Sequence, residues 1–374
     1  MSYLRVTFLG LAHAINHSFL LTIPVLLPSI ANSLGIEIYE MGFAVSFAYF
    51  LYGFGAILAG PLSKRFSSRV LIFLSLLCSG LSTLLFIFNI NVYSFALILA
   101  LNSFWTSIYH PIANKLISED FPNNMGRIMG LHGIGGSFGS VFVPLFSVFI
   151  SSIFDWRYPM IILGLFSILI SLAFYGKGSI KYYSKSNISV PYWRIKWIIL
   201  FSIFIGLFSR GLELFLPSLL IYRGFDQSSA ALLMSSLLLS GVFGQFFGGF
   251  IADIYGSLRS LLSSFIMVFI GLVMIVLGYG NNVLTLIGVL IYGFAFYAHQ
   301  PPSTKLQSEL VCEEARGYVY GLFFFINFSL GSVSSSLTGW IAGLYGFEYA
   351  YLCLSLISSL ALAMVFVMFF EYSK

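Results

Sequence analysis

Twelve long runs of mainly apolar residues divide this sequence from end to end. A helix needs about 20 such residues to cross the hydrocarbon core of a bilayer. The chain of 374 residues is 59% hydrophobic and 8% charged, whereas soluble domains carry about 25% charged residues. A water-soluble fold cannot bury this much apolar side chain, so we predict an all-α integral membrane protein. The predicted transmembrane spans are 4–31, 40–61, 68–88, 92–117, 126–150, 156–176, 194–221, 228–252, 257–279, 283–308, 316–340 and 346–370.

A polar, basic stretch lies at the middle of the chain and separates the spans into two sets of six. The predicted domains are an N-terminal six-helix bundle over 1–176, a linker over 177–193 and a C-terminal six-helix bundle over 194–374. The stretch contains lysines and no acidic residue. Positively charged loops favour the cytoplasmic side of a membrane, which predicts a cytoplasmic linker whose cations lie near anionic lipid headgroups.

The other cations follow the same rule. With the N-terminus in the cytoplasm, the inner side holds Arg5, Lys64, Arg65, Arg69, Lys115, Arg127, Lys177, Lys181, Lys185, Arg194, Lys196, Arg259, Lys305, Arg316 and Lys374. The outer loops hold only Arg157 and Arg223. This bias predicts a multi-pass protein of the cell membrane with both termini in the cytoplasm.

The formal net charge of +5 is small and scattered, so we expect no nucleic-acid partner. The three cysteines lie far apart in the sequence and indicate neither a disulfide framework nor a metal cluster. We therefore expect no metal and no cofactor.

The two halves are copies of each other. Leu27-Pro28-Ser29 recurs as Leu216-Pro217-Ser218 at an offset of 189, and Gly35 recurs as Gly224. Tyr109–Glu119 matches His299–Glu309 at an offset of 190, with five of eleven residues identical. Gly130 and Leu131 match Gly321 and Leu322 at 191. Each six-helix half is therefore a version of the other in the same orientation.

This arrangement resembles the major facilitator transporters, in which two parallel six-helix halves are related by an axis along the membrane normal. Two loops carry motifs similar to the family's Gly-x-x-x-Asp-Arg-x-Gly-Arg-Arg. These are Gly60–Arg69 and Gly249–Arg259. The first has Lys64 where the family has Asp, and the second has Ile254 where the family has Arg. The resemblance implies gating roles for loop residues Lys64, Arg65, Asp253 and Arg259, with a weaker latch in the N-terminal half. The alternative is that Lys64 and Arg65 only fix the membrane topology, which we favour for Lys64.

A narrower resemblance links three elements to the fosmidomycin-resistance branch of efflux proteins. These elements are His13-x-x-Asn16, Tyr109-His110-Pro111 and Gly135–Ser140. The Gly-Pro-x-x-Gly-Gly element of many proton-driven drug antiporters does not occur around Pro144. That difference speaks against drug efflux.

All five histidines fall within predicted spans. Ionisable residues inside a bilayer usually face a cavity or a partner, and histidine changes charge near physiological pH, as proton coupling requires. The alternative is a neutral histidine that bonds a backbone carbonyl between helices, which we favour for His132. In the family, helices 1, 4, 7 and 10 line the central cavity. By resemblance, the residues of the substrate and proton cavity are His13, Asn16, His17, Tyr109, His110, Arg210, Glu213, His299 and Gln300.

Arg210 and Glu213 lie near the middle of the seventh span, and a spacing of three places them on one helical face. One hypothesis is a structural ion pair. The other is a working pair, in which Glu213 takes up a proton and leaves Arg210 for an anionic substrate. Prolines at 111, 301 and 302 predict bends in the cytoplasmic halves of the fourth and tenth spans.

The leading hypothesis is a secondary active transporter that moves a small organic solute by alternating access, coupled to protons, as an efflux antiporter or a metabolite symporter. The sequence has no phosphate-binding Gly-x-x-x-x-Gly-Lys-Ser/Thr loop for ATP. The expected partners are the small-molecule substrate, protons and membrane lipid, and the family implies a monomer. The alternatives are a membrane-embedded enzyme, against which the lack of clustered aspartates speaks, and a non-transporting membrane sensor.

Overall fold

The computed structural model describes residues 2–88, 90–121, 125–176 and 192–372. Within these ranges the chain is built of α-helices joined by short turns, and it contains no β-strand. The helices are α1 Ser2–Leu34, α2 Met41–Leu62, α3 Ser68–Leu84, α4 Val92–Asp120, α5 Met125–Ile153, α6 Arg157–Ser171, α7 Tyr192–Tyr222, α8 Gln227–Tyr255, α9 Ser257–Leu277, α10 Asn282–Ala298, α11 Gln300–Glu309, α12 Glu313–Phe325, α13 Ser332–Tyr345 and α14 Phe347–Tyr372. A π-helical segment, Ile326–Leu330, joins α12 to α13.

Twelve helical stretches in the described part of the chain are long and apolar enough to cross a membrane. They match the predicted spans in number and order, which confirms the all-α membrane fold. Two of them combine two α-helices, since α10 and α11 form one stretch and the end of α12 forms another with the π-helical segment and α13. The predicted linker, 177–193, lies outside the described residues apart from Tyr192 and Trp193, which begin α7.

The chain divides into two compact units, Met1–Lys185 and Ser186–Lys374. In the N-terminal unit, α1 packs on α5, α2 on α4, and α3 on both α4 and α6. In the C-terminal unit, α7 packs on α13, α8 on α10, and α9 on both α10 and α14. The second set of pairs is the first set repeated, so the repeat seen in the sequence extends to the packing inside each unit.

Glycines allow the closest of these helix contacts. A Cβ atom built on Gly55 of α2 would lie 2.7 Å from the Phe104 carbonyl oxygen of α4. The repeat-related Cβ on Gly244 of α8 would lie 1.9 Å from the Phe294 carbonyl oxygen of α10. Real Cβ atoms do not approach so closely, and small residues let helix backbones come together in membranes. These glycines therefore serve packing inside each unit.

The tenth predicted span breaks where its prolines predict a bend. Helix α10 ends at Ala298, His299 caps it, and α11 begins at Gln300 with proline in its first turn. Proline has no N–H to donate to the carbonyl one turn earlier, and this interrupts the helical ladder. Helix α4 instead continues through Pro111 as one element.

Candidate functional site

Four histidine rings meet inside the N-terminal unit. His13 and His17 lie one turn apart on α1, His110 lies on α4, and His132 lies on α5. The His13 ring stacks on the His132 ring with centroids 4.0 Å apart. It meets the rings of His17 and His110 edge-on at 4.7 and 4.9 Å. We call these four residues the histidine cluster.

A chain of hydrogen bonds holds the cluster in one orientation. The Tyr109 hydroxyl donates to the Leu9 carbonyl at 2.8 Å. Its oxygen therefore accepts from His132 Nε2, 3.1 Å away. The His132 carbonyl accepts from His13 Nδ1 at 2.7 Å. These partners assign the proton of His13 to Nδ1, which leaves the Nε2 lone pair directed at His17 Nε2, 3.0 Å away.

Tyr109 and Asn16 are buried supports beside the cluster. Tyr109 is fully buried among α1, α4 and α5, and its ring belongs to the apolar core. Asn16 is 2% exposed, and its Nδ2 donates to the Thr106 carbonyl at 2.7 Å. The Asn16 Oδ1 atom is also buried and receives no hydrogen bond from the described residues. An unsatisfied buried oxygen is costly, which makes Asn16 a candidate for a direct polar contact.

Arg210 and Glu213 form an ion pair on α7. Arg210 Nη1 lies 3.0 Å from Glu213 Oε2, and the side chains are only 15% and 12% exposed. The guanidinium carbon also lies 4.5 Å from the centroid of the Phe328 ring. Phe328 belongs to the π-helical segment, and single π turns inside α-helices occur frequently at functional sites.

The neighbours His299 and Gln300 have separate surroundings. The His299 ring is buried against the rings of Phe265 and Phe296, and its Nδ1 bonds the Phe296 carbonyl. This geometry favours the backbone-bonded, structural alternative for His299. Gln300 instead lines an open pocket of 560 Å³ in the C-terminal unit. The other residues lining this pocket are Gln245, Pro301, Thr304, Lys305, Ser308 and Tyr320.

The loop residues also differ between the units. Lys64 and Arg65 are exposed in the turn after α2, and the described part of the N-terminal unit contains no ion-pair partner for either. Asp253 pairs with Lys305 at 2.9 Å. Arg259 is exposed in the first turn of α9.

Some of the predicted site residues come together and others do not. The structure joins His13, His17 and His110 in the N-terminal unit, and Arg210 with Glu213 in the C-terminal unit. Convergence of the predicted residues on one cavity stays a prediction. The sequence favours a neutral His132 bonded to a backbone carbonyl; in the structure His132 Nε2 bonds the Tyr109 hydroxyl and the ring stacks on His13. Phe328 is not among the residues predicted from the sequence. In the structure, Gly136 lies one turn after His132 on α5 and leaves room for the His13 ring.

The histidine cluster also brings together three ring nitrogens that could act as metal ligands. Ring nitrogens of His13, His17 and His110 all lie within 4.8 Å of one another. Imidazole nitrogens are common ligands of transition metals. The expectation of no metal, based on cysteine spacing alone, did not consider histidines brought together from separate spans.

Residues 8–336 match the sequence model of the Major Facilitator Superfamily. The chain belongs to this superfamily. Among curated relatives, it is 25% identical over 130 residues to the membrane sensor protein UhpC of Salmonella typhimurium. That match covers 34% of this chain and 29% of the relative. It is 23% identical over 357 residues to an uncharacterized transporter of Buchnera aphidicola subsp. Schizaphis graminum, covering 91% of this chain and 84% of the relative.

The fold is also that of a solved major facilitator structure. A D-xylose–proton symporter superposes with a TM-score of 0.78 at 17% identity, covering 96% of this chain and 96% of that chain. Membership in the superfamily classes the protein with transporters and not with enzymes. The finer resemblance to the fosmidomycin-resistance branch stays a prediction.

Proposed function

We propose that this superfamily member is a secondary active transporter of a small organic solute, coupled to protons. The observation that carries this proposal is the Arg210–Glu213 pair, 3.0 Å apart and largely buried within the span Tyr192–Tyr222. Charged groups at such a depth are costly and mark substrate or ion pathways. The protein would work as a monomer in the cell membrane with both termini in the cytoplasm, as the distribution of cations predicts.

The chemistry of the pair suggests how a proton and an anion are linked. While Glu213 is ionised, its carboxylate neutralises Arg210 at hydrogen-bond distance. A proton on Glu213 removes that negative charge and leaves the guanidinium to attract an anionic group of the substrate. The Phe328 ring, 4.5 Å from the guanidinium, holds the cation in place through a cation–π contact. Proton and anion would therefore bind in the same conformation, as symport requires. Loss of the proton from Glu213 would restore the ion pair and release the anion.

The first step of the experiment is to identify a compound that the protein binds. Purified protein is screened by thermal shift against sugars, sugar phosphates, nucleosides and drugs, and the most stabilising compound is labelled. Proteoliposomes with an imposed pH gradient should then accumulate it in a gradient-dependent way. Glu213→Gln should abolish the effect of the gradient but retain exchange of labelled for unlabelled compound.

The matched control is Glu348→Gln, which makes the same change in the other buried ion pair of the C-terminal unit. This variant should retain gradient-driven transport if it folds. Full proton-driven transport by Glu213→Gln would show that the coupling role is assigned to the wrong residue.

A second candidate function is sensing, since one relative is named a membrane sensor protein. A sensor would bind its ligand and show a thermal shift without moving the ligand across the bilayer. Binding without either gradient-driven uptake or exchange in proteoliposomes would favour this alternative.

A further inference from the structure

The histidine cluster has a feature that packing alone does not require. His13 Nε2 and His17 Nε2 face each other at 3.0 Å. Because the His13 proton lies on Nδ1, bonded to the His132 carbonyl, the His13 Nε2 atom presents a lone pair. Two ring nitrogens at this distance need a proton or a cation between them, since two lone pairs repel. A third ring nitrogen, from His110, lies within 4.8 Å of both.

The internal repeat serves as a control for the role of these histidines. At the offsets of 189, 190 and 191 found in the sequence, the counterparts of the cluster residues are neither histidine nor cysteine. These counterparts are Ser202 for His13, Gly206 for His17, Gln300 for His110 and Phe323 for His132. The C-terminal unit packs the corresponding helix pairs without them. The fold of a half therefore does not need four imidazoles at this position.

The surroundings are adapted to the His13 ring. A Cβ atom on Gly136 of α5 would lie 2.5 Å from His13 Cε1 and 2.7 Å from its Nε2. Glycine at this position therefore lets the ring lie directly on the α5 backbone. His13 is 9% exposed, whereas His17 and His110 are partly exposed. The group is thus packed against α5 at His13 and partly exposed at His17 and His110.

We propose that His13, His17 and His110 form a binding site for a divalent transition-metal ion of the Zn²⁺ class. Neutral imidazole ligands suit Zn²⁺, Cu²⁺, Ni²⁺ and Co²⁺, whereas Ca²⁺ and Mg²⁺ prefer oxygen ligands. Zn–N bonds of 2.0–2.1 Å place two ligand nitrogens about 3.3 Å apart in a tetrahedral site. The His13–His17 pair at 3.0 Å is close to that spacing, and the His110 nitrogen, within 4.8 Å of both, would move inward to become the third ligand.

The neighbouring residues supply the outer contacts that such sites use. A metal-bound histidine usually donates its other ring N–H to a carbonyl or carboxylate, and this fixes its orientation. His13 Nδ1 already donates to the His132 carbonyl, and Tyr109 in turn holds His132. Three protein ligands leave a fourth tetrahedral position open for water or an anionic ligand. The transport proposal rests on Arg210 and Glu213, so the two proposals rest on different residues.

The test uses full-length protein from which any affinity tag has been removed, stripped with a chelator and equilibrated with ZnCl₂. We expect stoichiometric zinc by elemental analysis. In a parallel titration with CoCl₂, we expect the intense visible absorption of a tetrahedral cobalt site. His17→Gln and His110→Gln, on two different helices, should each lose the tight zinc site. His132→Gln removes the ring stacked on His13 but keeps the carbonyl that accepts from His13 Nδ1, so it should weaken zinc binding less than either ligand variant does.

The matched control is His299→Gln, which removes a buried histidine outside the cluster. This variant should bind zinc like the unmodified protein. Size-exclusion profiles and melting temperatures without metal establish that each variant is folded. The proposal is overturned if the unmodified protein binds no tight zinc, or if His17→Gln and His110→Gln bind it as well as His299→Gln does. These readouts do not depend on transport, so they fail or succeed separately from the proposed function.

Discussion

Lys305 Nζ lies 2.9 Å from Asp253 Oδ1 and joins the last turn of α8 to α11. The same ammonium donates to the Ala252 carbonyl at 3.0 Å. In the N-terminal unit the counterpart Lys115 makes only the second of these contacts with the turn, donating to the Ser63 carbonyl at 3.0 Å. Lys64 stands in the first unit where Asp253 stands in the second. The two loops therefore share a backbone contact and differ in the ion pair.

Replacing Lys64 by Asp should restore the missing pair. A carboxylate at this position would come within reach of Lys115 and replace a like-charge neighbour by an attractive one. Because the site is exposed, we expect stabilisation by only about 0.2–1 kcal/mol, decreasing as salt is added. Thermal unfolding of Lys64→Asp with and without Lys115→Met measures the coupling. An equal effect in both backgrounds would mean that Lys64→Asp acts without Lys115.

Arg223 has the most deeply buried side chain among the ion pairs of the described residues. Its side chain is 2% exposed, and its Nη2 lies 2.5 Å from Glu348 Oε2. It also donates to the Ile275 carbonyl at 2.7 Å and to Thr285 Oγ1 at 3.1 Å. This one side chain thus connects α7 to α9, α10 and α14.

Arg223→Ala should therefore destabilise the C-terminal unit strongly. Removing one partner of a buried pair leaves the other charge uncompensated, at a cost of about 3–5 kcal/mol, and Glu348 at 27% exposure places the value at the lower end. Chemical denaturation in detergent measures the change. Arg157→Ala is the control, since Arg157 pairs with Asp155 two residues away and both are partly exposed. Similar losses for the two variants would contradict the importance of burial.

The sequence predicted the elements of the fold well because each carries a local signal. The sequence alone shows the span lengths, the offsets of the repeat and the prolines at 301 and 302. The break at His299 follows from these prolines. The pair at Arg210 and Glu213 was also predictable, because a spacing of three on one helix fixes their proximity. These features depend on neighbours in the chain.

The rest depends on contacts between distant segments. His13 and His132 are 119 residues apart, and their stacking requires the close approach of α1 and α5. Arg223 was predicted only as a cation of an outer loop, yet it bonds a carboxylate 125 residues away. His299 and Gln300 are neighbours in the sequence and were predicted to line the same cavity. In the structure, the His299 ring lies in an aromatic core, whereas Gln300 lines a pocket. No local pattern carries this information.

Asp226 should make stability sensitive to acid. It caps α8, and its carboxylate accepts from Ser229 Oγ at 2.6 Å and from the Ser229 N–H at 3.0 Å. These hydrogen bonds hold the pKa of Asp226 below its usual range. A lowered folded-state pKa contributes stability that is present above the unfolded pKa and is lost as pH falls through the folded one. Asp226→Asn still caps the helix but does not titrate. The melting temperature of this variant should fall less than that of the unmodified protein between about pH 7 and about pH 3. An equal fall in both proteins would refute the role of Asp226 in acid sensitivity.

Gly136→Ala should disturb the histidine cluster without removing a histidine. Its new Cβ atom would lie within 2.7 Å of three His13 ring atoms, so the ring must move. Overpacking of this kind costs about 1–3 kcal/mol, and the displaced ring should also weaken zinc binding. Gly133→Ala on the same helix is the matched control, because its Cβ would meet nothing within 4 Å. The control should be neutral or slightly stabilising, since alanine favours helix more than glycine does. Equal stability and zinc binding in the two variants would show that the His13 ring is not held as described.

One set of variants tests whether the Arg210–Glu213 pair stabilises the fold, takes part in transport, or does both. Arg210→Met and Glu213→Leu each leave one buried charge without its partner, which should lower stability by about 3–5 kcal/mol and reduce folded yield. The double variant removes both charges and should recover most of that loss, since apolar replacement of a buried pair is often neutral. Fluorescence-detected size exclusion of the four proteins measures the recovery.

Transport by the double variant then separates the two roles. If Glu213 carries the proton and Arg210 attracts the anion, the refolded double variant binds the substrate weakly and no longer responds to a pH gradient. A purely structural pair predicts the opposite, because a stable protein without either charge would keep its substrate affinity and its gradient-driven uptake. The informative comparison is therefore between yield, which the double variant should regain, and proton-linked transport, which it should not. A double variant that transports like the unmodified protein would refute the functional role of both residues.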